Sequence, residues 1–325
     1  MLTPTRNILA IAVLAAAASA QPRPAFEAAS IRPSAPIDGP TMMAMVRSGK
    51  MPMGAHISST RAEYDYLDLR TLLTYAYGAR PYQITGPDWM QTTRFDIVAK
   101  LPAGSTKADA PRMLQTLLED RFKLVMHRTT EEHPVLAIVV GKGGPKLKES
   151  AEKPVPIDED APPKPGEIVL DGPDGPMRGK IDMATMSSVI DMGLKGKMAY
   201  KINQAAKTIH IDFMMTTLPG FADMTTRLLT QIGGGISAKR IVDATGIEGN
   251  YDASLDISLA EAMAMAKSSG IDGPENAATA EALDPGANGV TLAQALHSMG
   301  LKLESRKAPV EQFIVDHIEK TPTDN

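Results

Sequence analysis

There is no cysteine anywhere in the 325 residues. Thiolate nucleophiles, Cys-ligated zinc and iron–sulfur clusters are therefore excluded, and no disulfide supports the fold. A chain of this length does not need one, because an apolar core can stabilise it alone. Charge of either sign is in no great excess: the formal net charge is −4, which gives no reason to expect a nucleic-acid partner. Aromatic residues are scarce at 4%, with one tryptophan, whereas there are twenty methionines. The sequence holds no Gly-x-Ser-x-Gly elbow, no phosphate-binding Gly-x-x-x-x-Gly-Lys-Ser/Thr loop and no His-Glu-x-x-His motif. Past the N-terminal segment, no stretch is long and apolar enough to cross a bilayer.

What is present starts with MLTPTRNILAIAVLAAAASAQ. Arg6 supplies a positive charge, Ile8 to Ala18 form an apolar run, and Ala18-Ser19-Ala20 provide small residues. This order is that of a signal peptide, with cleavage expected after Ala20. The apolar run is about half of the ~20 residues that a spanning helix needs, so an anchor is the poorer reading. No cysteine follows that could carry a lipid. The mature chain is expected to start near Gln21 and to be secreted or periplasmic.

Two stretches share one grammar. In GVTLAQALHSMG, Leu292, Ala295, Leu296 and Met299 fall on one helical face, and Gly300 ends the helix. GLKLESRKAPVEQFIVDHIEK then reads as strand, tight turn at Pro309, and strand. Earlier, RMLQTLLEDRFKLVMHRTTEEHPVLAIVV reads the same way, with Met113 to Leu117 matching Leu292 to Leu296. Upstream of each, a helix precedes strand, Thr-Gly turn and strand: Thr85-Gly86 corresponds to Thr245-Gly246, and Phe95-Asp96 to Tyr251-Asp252. The expected fold class is α+β, two similar α-β-β-α-β-β halves arising by internal duplication, with mostly antiparallel sheets. The boundaries follow: signal peptide 1–20, first half 21–149, a Pro/Gly-rich acidic linker 150–182, second half 183–320 and a tail 321–325. Phe26 to Ser34 reads as an edge strand, Thr41 to His56 as a mobile loop, and Ser268 to Gly289 as a surface loop. Within the linker, Glu167 to Leu170 has the pattern of a short strand.

The segments FEAASIRPS, RFDIVAKLPAG, MLQTLLEDRFKLVMHRTTEEHPVLAIVVGKGGPKLKES, IVDATGIEGNYDASLDIS and the closing GLKLESRKAPVEQFIVDHIEK resemble a family of soil-associated secreted proteins abundant in acidobacteria. The resemblance spans Phe26 to Lys320 and implies no established activity, cofactor or catalytic residue. In some relatives such a domain is joined to a membrane-embedded metallopeptidase of the antibiotic-sensor type, whose helices this sequence lacks. The helix-strand-strand unit is also similar in topology to the short N-terminal domains of secretins and TonB-dependent receptors, which dock proteins; that is analogy at the level of fold.

Candidate chemistry is sparse. Ser150-Ala-Glu-Lys153 matches Ser-x-x-Lys by letter but opens a Pro-rich segment instead of a helix. Gly141-Lys142-Gly143-Gly144 reads as a strand-ending turn, and Gly233 to Gly235 as a helix-ending one. His127 and His133 flank the expected turn of the first hairpin, and His210 with Asp212 share a strand face; neither pair makes the three or four ligands of a metal site. Asp96 and Asp252, at matching places, read as turn-fixing residues. Met42, Met43, Met45, Met51, Met53 and His56 crowd one loop, a soft donor set that suits Cu(I). Met183, Met186 and Met192 recur at near-helical spacing, and core filling is the plainer account of both groups. No cofactor is expected. The favoured reading is a non-catalytic binding or interaction module whose strand edges accept a peptide strand from an envelope or secreted protein. The alternatives are a secreted hydrolase whose site converges only in three dimensions, and a Met-rich copper-handling protein.

Overall fold

The computed structural model describes residues 23–47, 53–159, 161–173, 175–182, 184–232, 240–267 and 291–323. The expected signal peptide, Gly233 to Gly235 and the Ser268 to Gly289 segment lie outside them. In the first half, β1 (Ala28–Pro33) precedes α1 (Gly39–Arg47), β2 (Gly54–Ile57) and β3 (Arg61–Asp68). Part of the expected mobile loop is therefore α1 and part is β2. α2 (Leu69–Tyr77) begins where the Asp68 carboxylate accepts the Thr71 N–H at 2.9 Å, and ends at left-handed Gly78. Leu69, Leu72, Leu73 and Ala76 put its apolar face into the core. Then come β4 (Ile84–Thr85), β5 (Arg94–Lys100), α3 (Ala110–Phe122) and β6 (Val125–Val140).

The chain continues through β7 (Lys148–Glu149), β8 (Ile168–Gly172), β9 (Gly175–Asp182), β10 (Ser187–Asp191) and β11 (Lys197–Asn203). The second half follows as β12 (Thr208–Thr216), α4 (Leu218–Ile232), β13 (Ile241–Asp243), β14 (Tyr251–Ser258), α5 (Leu259–Lys267), α6 (Leu292–Ser298) and β15 (Leu301–His317). The architecture is α+β with mostly antiparallel sheets. Within the expected linker, the short strand read at Glu167 to Leu170 is β8, and β9 joins it in the large sheet. Met186 and Met192 lie beside β10, not on a helix, and Met183 is outside the described residues.

The eleven-stranded sheet has the order β1-β5-β3-β2-β8-β9-β10-β11-β12-β14-β7, and the four-stranded sheet β13-β6-β15-β4. Both orders read the same from either end when strands are exchanged in pairs: β1 for β7, β5 for β14, β3 for β12, β2 for β11, β8 for β10, β4 for β13 and β6 for β15. The two expected hairpins are absent. β6 is one continuous strand, β15 is another, and they pair antiparallel with each other from Leu301↔Val140 to His317↔Val125. The expected Thr-Gly hairpins are absent too, since β4 pairs in parallel with β15, and β13 with β6. Each half thus lends its short strand to the long strand of the other.

The prolines that were read as turn residues sit inside the ladder. Leu136 N–H donates to the Arg240 carbonyl and Gly141 N–H to the Gly300 carbonyl, so even-numbered residues of β6 point their backbone away from β15. Pro134 is one of these, and Pro309 occupies the corresponding outward position on β15, where the missing N–H breaks no bond between the two strands.

Alternation along β3 buries Ala62 and Tyr64, and along β12 it buries Ile209, Ile211 and Phe213. Both strands then bulge. Tyr66 (φ 55) and Met215 (φ 56) are the left-handed residues of the two bulges, at register shifts between Tyr64/Leu67 and Phe213/Thr216. One carboxylate fixes each. Asp96 accepts the Tyr66 N–H at 2.8 Å and the Ser34 hydroxyl at 2.6 Å. Asp252 accepts the Met215 N–H at 3.0 Å and the Ser150 hydroxyl at 2.6 Å. The two hydrogen bonds, that from Ser150 foremost, hold the Asp252 carboxyl below its usual range. This also explains Ser150 without any Ser-x-x-Lys chemistry.

Two cores result. Tyr64, Phe95, Phe122, Leu114 and Phe313 belong to the first, with Phe95 edge-on to Phe122 at 5.1 Å. Phe213, Phe221, Leu255, Leu296 and Leu301 belong to the second. Helix α6 meets β15 at Gly300 (φ 74), where a Cβ would collide with the Gly144 carbonyl. Near it, the buried Glu261 carboxylate accepts the Leu292 N–H at 3.0 Å, joining α5 to the start of α6. Burial pushes this carboxyl up to about 7, against the lowering effect of the Leu292 bond.

Replacing Asp252 by Ala leaves the Met215 N–H and the Ser150 hydroxyl without their acceptor, and should destabilise the protein by about 1–3 kcal/mol in urea unfolding. Because its folded pKa is depressed, the contribution of Asp252 is present above the unfolded carboxylate range and is lost as pH falls through the folded value. Glu261 has the opposite sign. Its protonated form is favoured in the fold, so stability should fall as pH rises from about 4.5 to about 7, then level off. Glu261→Gln should remove that part of the pH dependence, measured as the difference in unfolding free energy between the ends of the window.

Candidate functional site

Three short segments from distant parts of the chain enclose a cleft of about 450 Å³. The first is the turn Pro81–Gln83 with Arg80 before it. Its shape is set by the Arg80 N–H, which donates to the Gln83 side chain at 2.9 Å, while that side chain donates onward to the Glu311 carbonyl of β15 at 2.9 Å. The second is the face of α4 that carries Pro219, Ala222, Asp223 and Arg227. The third is Arg240 with β13. Thr226 fixes the last two together: its hydroxyl donates to the Ala222 carbonyl at 2.8 Å and accepts the Ile241 N–H at 3.0 Å. That bond also covers the outer edge of β13, and Arg70 covers β4 by donating to the Ile84 carbonyl at 2.8 Å. These two edges are therefore closed to an added strand.

The lining carries three guanidinium groups and two carboxylates. Asp223 is shared: Arg80 Nη2 lies 2.8 Å from one oxygen and Arg227 Nε 3.2 Å from the other. Lys195 stands close to this group; burial lowers its pKa, Asp223 raises it and Arg80 lowers it further. Asp243 accepts the N–H of Thr245 at 3.0 Å and its hydroxyl at 2.7 Å, the arrangement of a backbone turn. Arg240 is different. Its guanidinium lies over the Tyr82 ring at 5.7 Å from the centroid, and among the described residues no carboxylate pairs with it. Tyr82 stays a neutral phenol, its pKa raised by burial against the lowering effect of Arg240 and Arg80. Pro81, Pro219, Ile241 and Val242 make the rest of the wall apolar. A second cavity, of about 10 Å³ between Phe213 and Leu301, is a packing gap in the second core.

The residues singled out from the sequence lie elsewhere. Met42 and Met45, three apart on α1, are half-buried; Met53 and His56 precede and enter β2, while Met51 and the side chain of Met43 fall outside the described residues. His127 and His133 both lie within β6, without a turn between them. His127 meets Asp316 at 2.9 Å on an exposed surface, and His133 Nε2 is 3.6 Å from Glu131. His210 does share a face with Asp212, at 3.3 Å, and its other nitrogen lies 2.9 Å from Asp256 across the β12–β14 ladder.

Ser254 completes an acid, imidazole and hydroxyl set there, but at 3.4 Å from His210 and with its proton given to Asp212 at 2.8 Å. The two carboxylates raise the pKa of His210, the Asp256 bond contributing most, which favours the imidazolium over the neutral base that acyl transfer requires. The cluster is an exposed electrostatic link between two strands. Among the described residues no group of three or more His, Asp or Glu side chains is arranged to hold a metal.

Apart from Asp243, which recurs with Asp96, Asp252 and Asp316 near strands and reads as a turn residue, none of the cleft residues stands out in the sequence. Arg80-Pro81-Tyr82 and Arg240-Ile241-Val242 stand about 160 residues apart and belong to no spaced motif. The available signal was weaker: each triplet puts an arginine just before or at a short predicted strand. No curated protein matches the chain, and neither does any solved structure. A family model does, over residues 70–318, from α2 to β15, so that both walls of the cleft lie within the match. The chain belongs to the family described as protein of unknown function (DUF3738).

Proposed function

We propose that the protein is an exported binding module, secreted or periplasmic, and that the cleft between its halves is the binding site. The observation that carries this reading is the Arg240 guanidinium, half-buried in a cleft of about 450 Å³, over the Tyr82 ring and without a counter-charge among the described residues. A charge held in a partly apolar recess and left unpaired is costly to desolvate, and a ligand anion offsets that cost. Export is supported by the signal-peptide pattern that ends at Ala20. No described helix is long and apolar enough to cross a membrane. The same reading takes the halves as copies of one unit, supported by the two matched strand orders and by the paired Asp96 and Asp252 bulges.

Capture from an envelope extract tests the binding role. Immobilised wild-type protein should retain a solute or peptide, identified by mass spectrometry, that Arg240→Glu of unchanged melting temperature does not retain. Equal retention by the two proteins, or none by either, sinks the reading. N-terminal sequencing of protein from the envelope or medium should begin near Gln21, and an intact Met1 would count against export.

A further inference from the structure

We propose, resting on the binding reading above, that the cleft selects an organic monocarboxylate with a flat apolar body, with Arg240 as its anchor and Tyr82 as the aromatic wall beside that body. A guanidinium has five N–H donors, all in its own plane, in a fork that matches a carboxylate. Arg240 lies over the Tyr82 ring, 5.7 Å from its centroid, and both residues line the cleft. A carboxylate held two-point by this fork brings whatever it carries within reach of that ring and of Pro81 and Pro219, which share the lining.

Charge sets the valence. Among the described residues the lining carries three guanidinium groups and two carboxylates, a net charge of one positive, and Arg240 is the guanidinium with no carboxylate beside it. One negative charge balances it. The form of the donors argues in the same direction. Phosphate sites use backbone N–H groups of glycine-rich turns and helix starts. Among the described residues the lining holds no glycine, and the residue it takes from the first turn of α4 is Pro219, which has no N–H to give. The volume exceeds what a bare inorganic ion fills and lies in the range of small-molecule sites. Free aromatic acids and the C-terminal aromatic residue of a peptide share this chemistry.

Calorimetric titration of the purified full chain tests the proposal. The probes are phenylacetate, phenylacetamide, phenyl phosphate, inorganic phosphate, N-acetylphenylalanine and its C-terminal amide. The two carboxylates should bind, and their amides should not. A preference for N-acetylphenylalanine over phenylacetate assigns the site to peptide C-termini, and the reverse to free acids. Arg240→Gln should weaken carboxylate binding by about ten- to a hundredfold, the range of a charge-assisted hydrogen bond. Arg240→Lys, which keeps the charge and loses the fork, should recover only part of it.

Acid and amide binding equally would overturn the role of Arg240. Tighter binding of phenyl phosphate or inorganic phosphate would overturn the ligand class. Silence from all six probes, with Arg240-dependent capture from the extract intact, rejects the class and leaves the binding reading standing; loss of that capture as well rejects both. Should Arg240→Gln fail to fold, the comparison of acid with amide on the wild-type chain decides the matter alone.

Discussion

Strands from opposite ends of the chain, β6 and β15, hydrogen-bond to each other along their whole length, and the contacts between the halves are arranged around that ladder. One end of it lies in the first core, through Met126, Phe313 and Val315, and the other in the second, through Leu136, Ile138, Leu301 and Leu303. Closing so long a loop costs entropy, but the cost grows only with the logarithm of its length. The kinetic consequence is larger. Until β15 has emerged and paired, β4 has no partner and β6 has only the short β13 beside it, so the small sheet cannot be finished before the end of the chain.

The cleft is a product of this exchange. Its first wall, at Arg80 to Tyr82, is held to β15 by Gln83, and its second is held to β6 through β13. The cleft is thereby placed where the halves meet, on short elements fixed by a long ladder. Asp223 contributes by holding Arg80, from one half, beside Arg227, from the other.

Local pattern made part of this legible in the sequence. Alternation, apolar spacing and the Gly300 helix stop gave the fold class and most helices, and the match of Phe95-Asp96 with Tyr251-Asp252 located two residues that do the same work. The errors are ones of partner choice. Pro134 and Pro309 were read as turn residues because proline usually ends a strand; here each sits where its absent N–H faces away from the ladder. The Thr-Gly dipeptides were read as hairpin turns, whereas they lie where the chain leaves one sheet for the other. The cleft was illegible for a related reason. Arg80, Asp223 and Arg240 become neighbours only through the exchange of β4 and β13, and no spacing along the chain records that event.

The two prolines have a further effect, on what the molecule avoids. Among the described residues, β13 and β4 are short and only partly cover the outer edges of β6 and β15. Bare edges of that kind template other chains. Pro134 and Pro309 each remove one donor from such an edge, and Glu132, Glu311, Arg306 and Lys307 set charge along the same stretches. A second molecule could not continue the ladder past either proline without losing a bond at every copy. The same two residues that hid the long strands from view guard them against polymerisation.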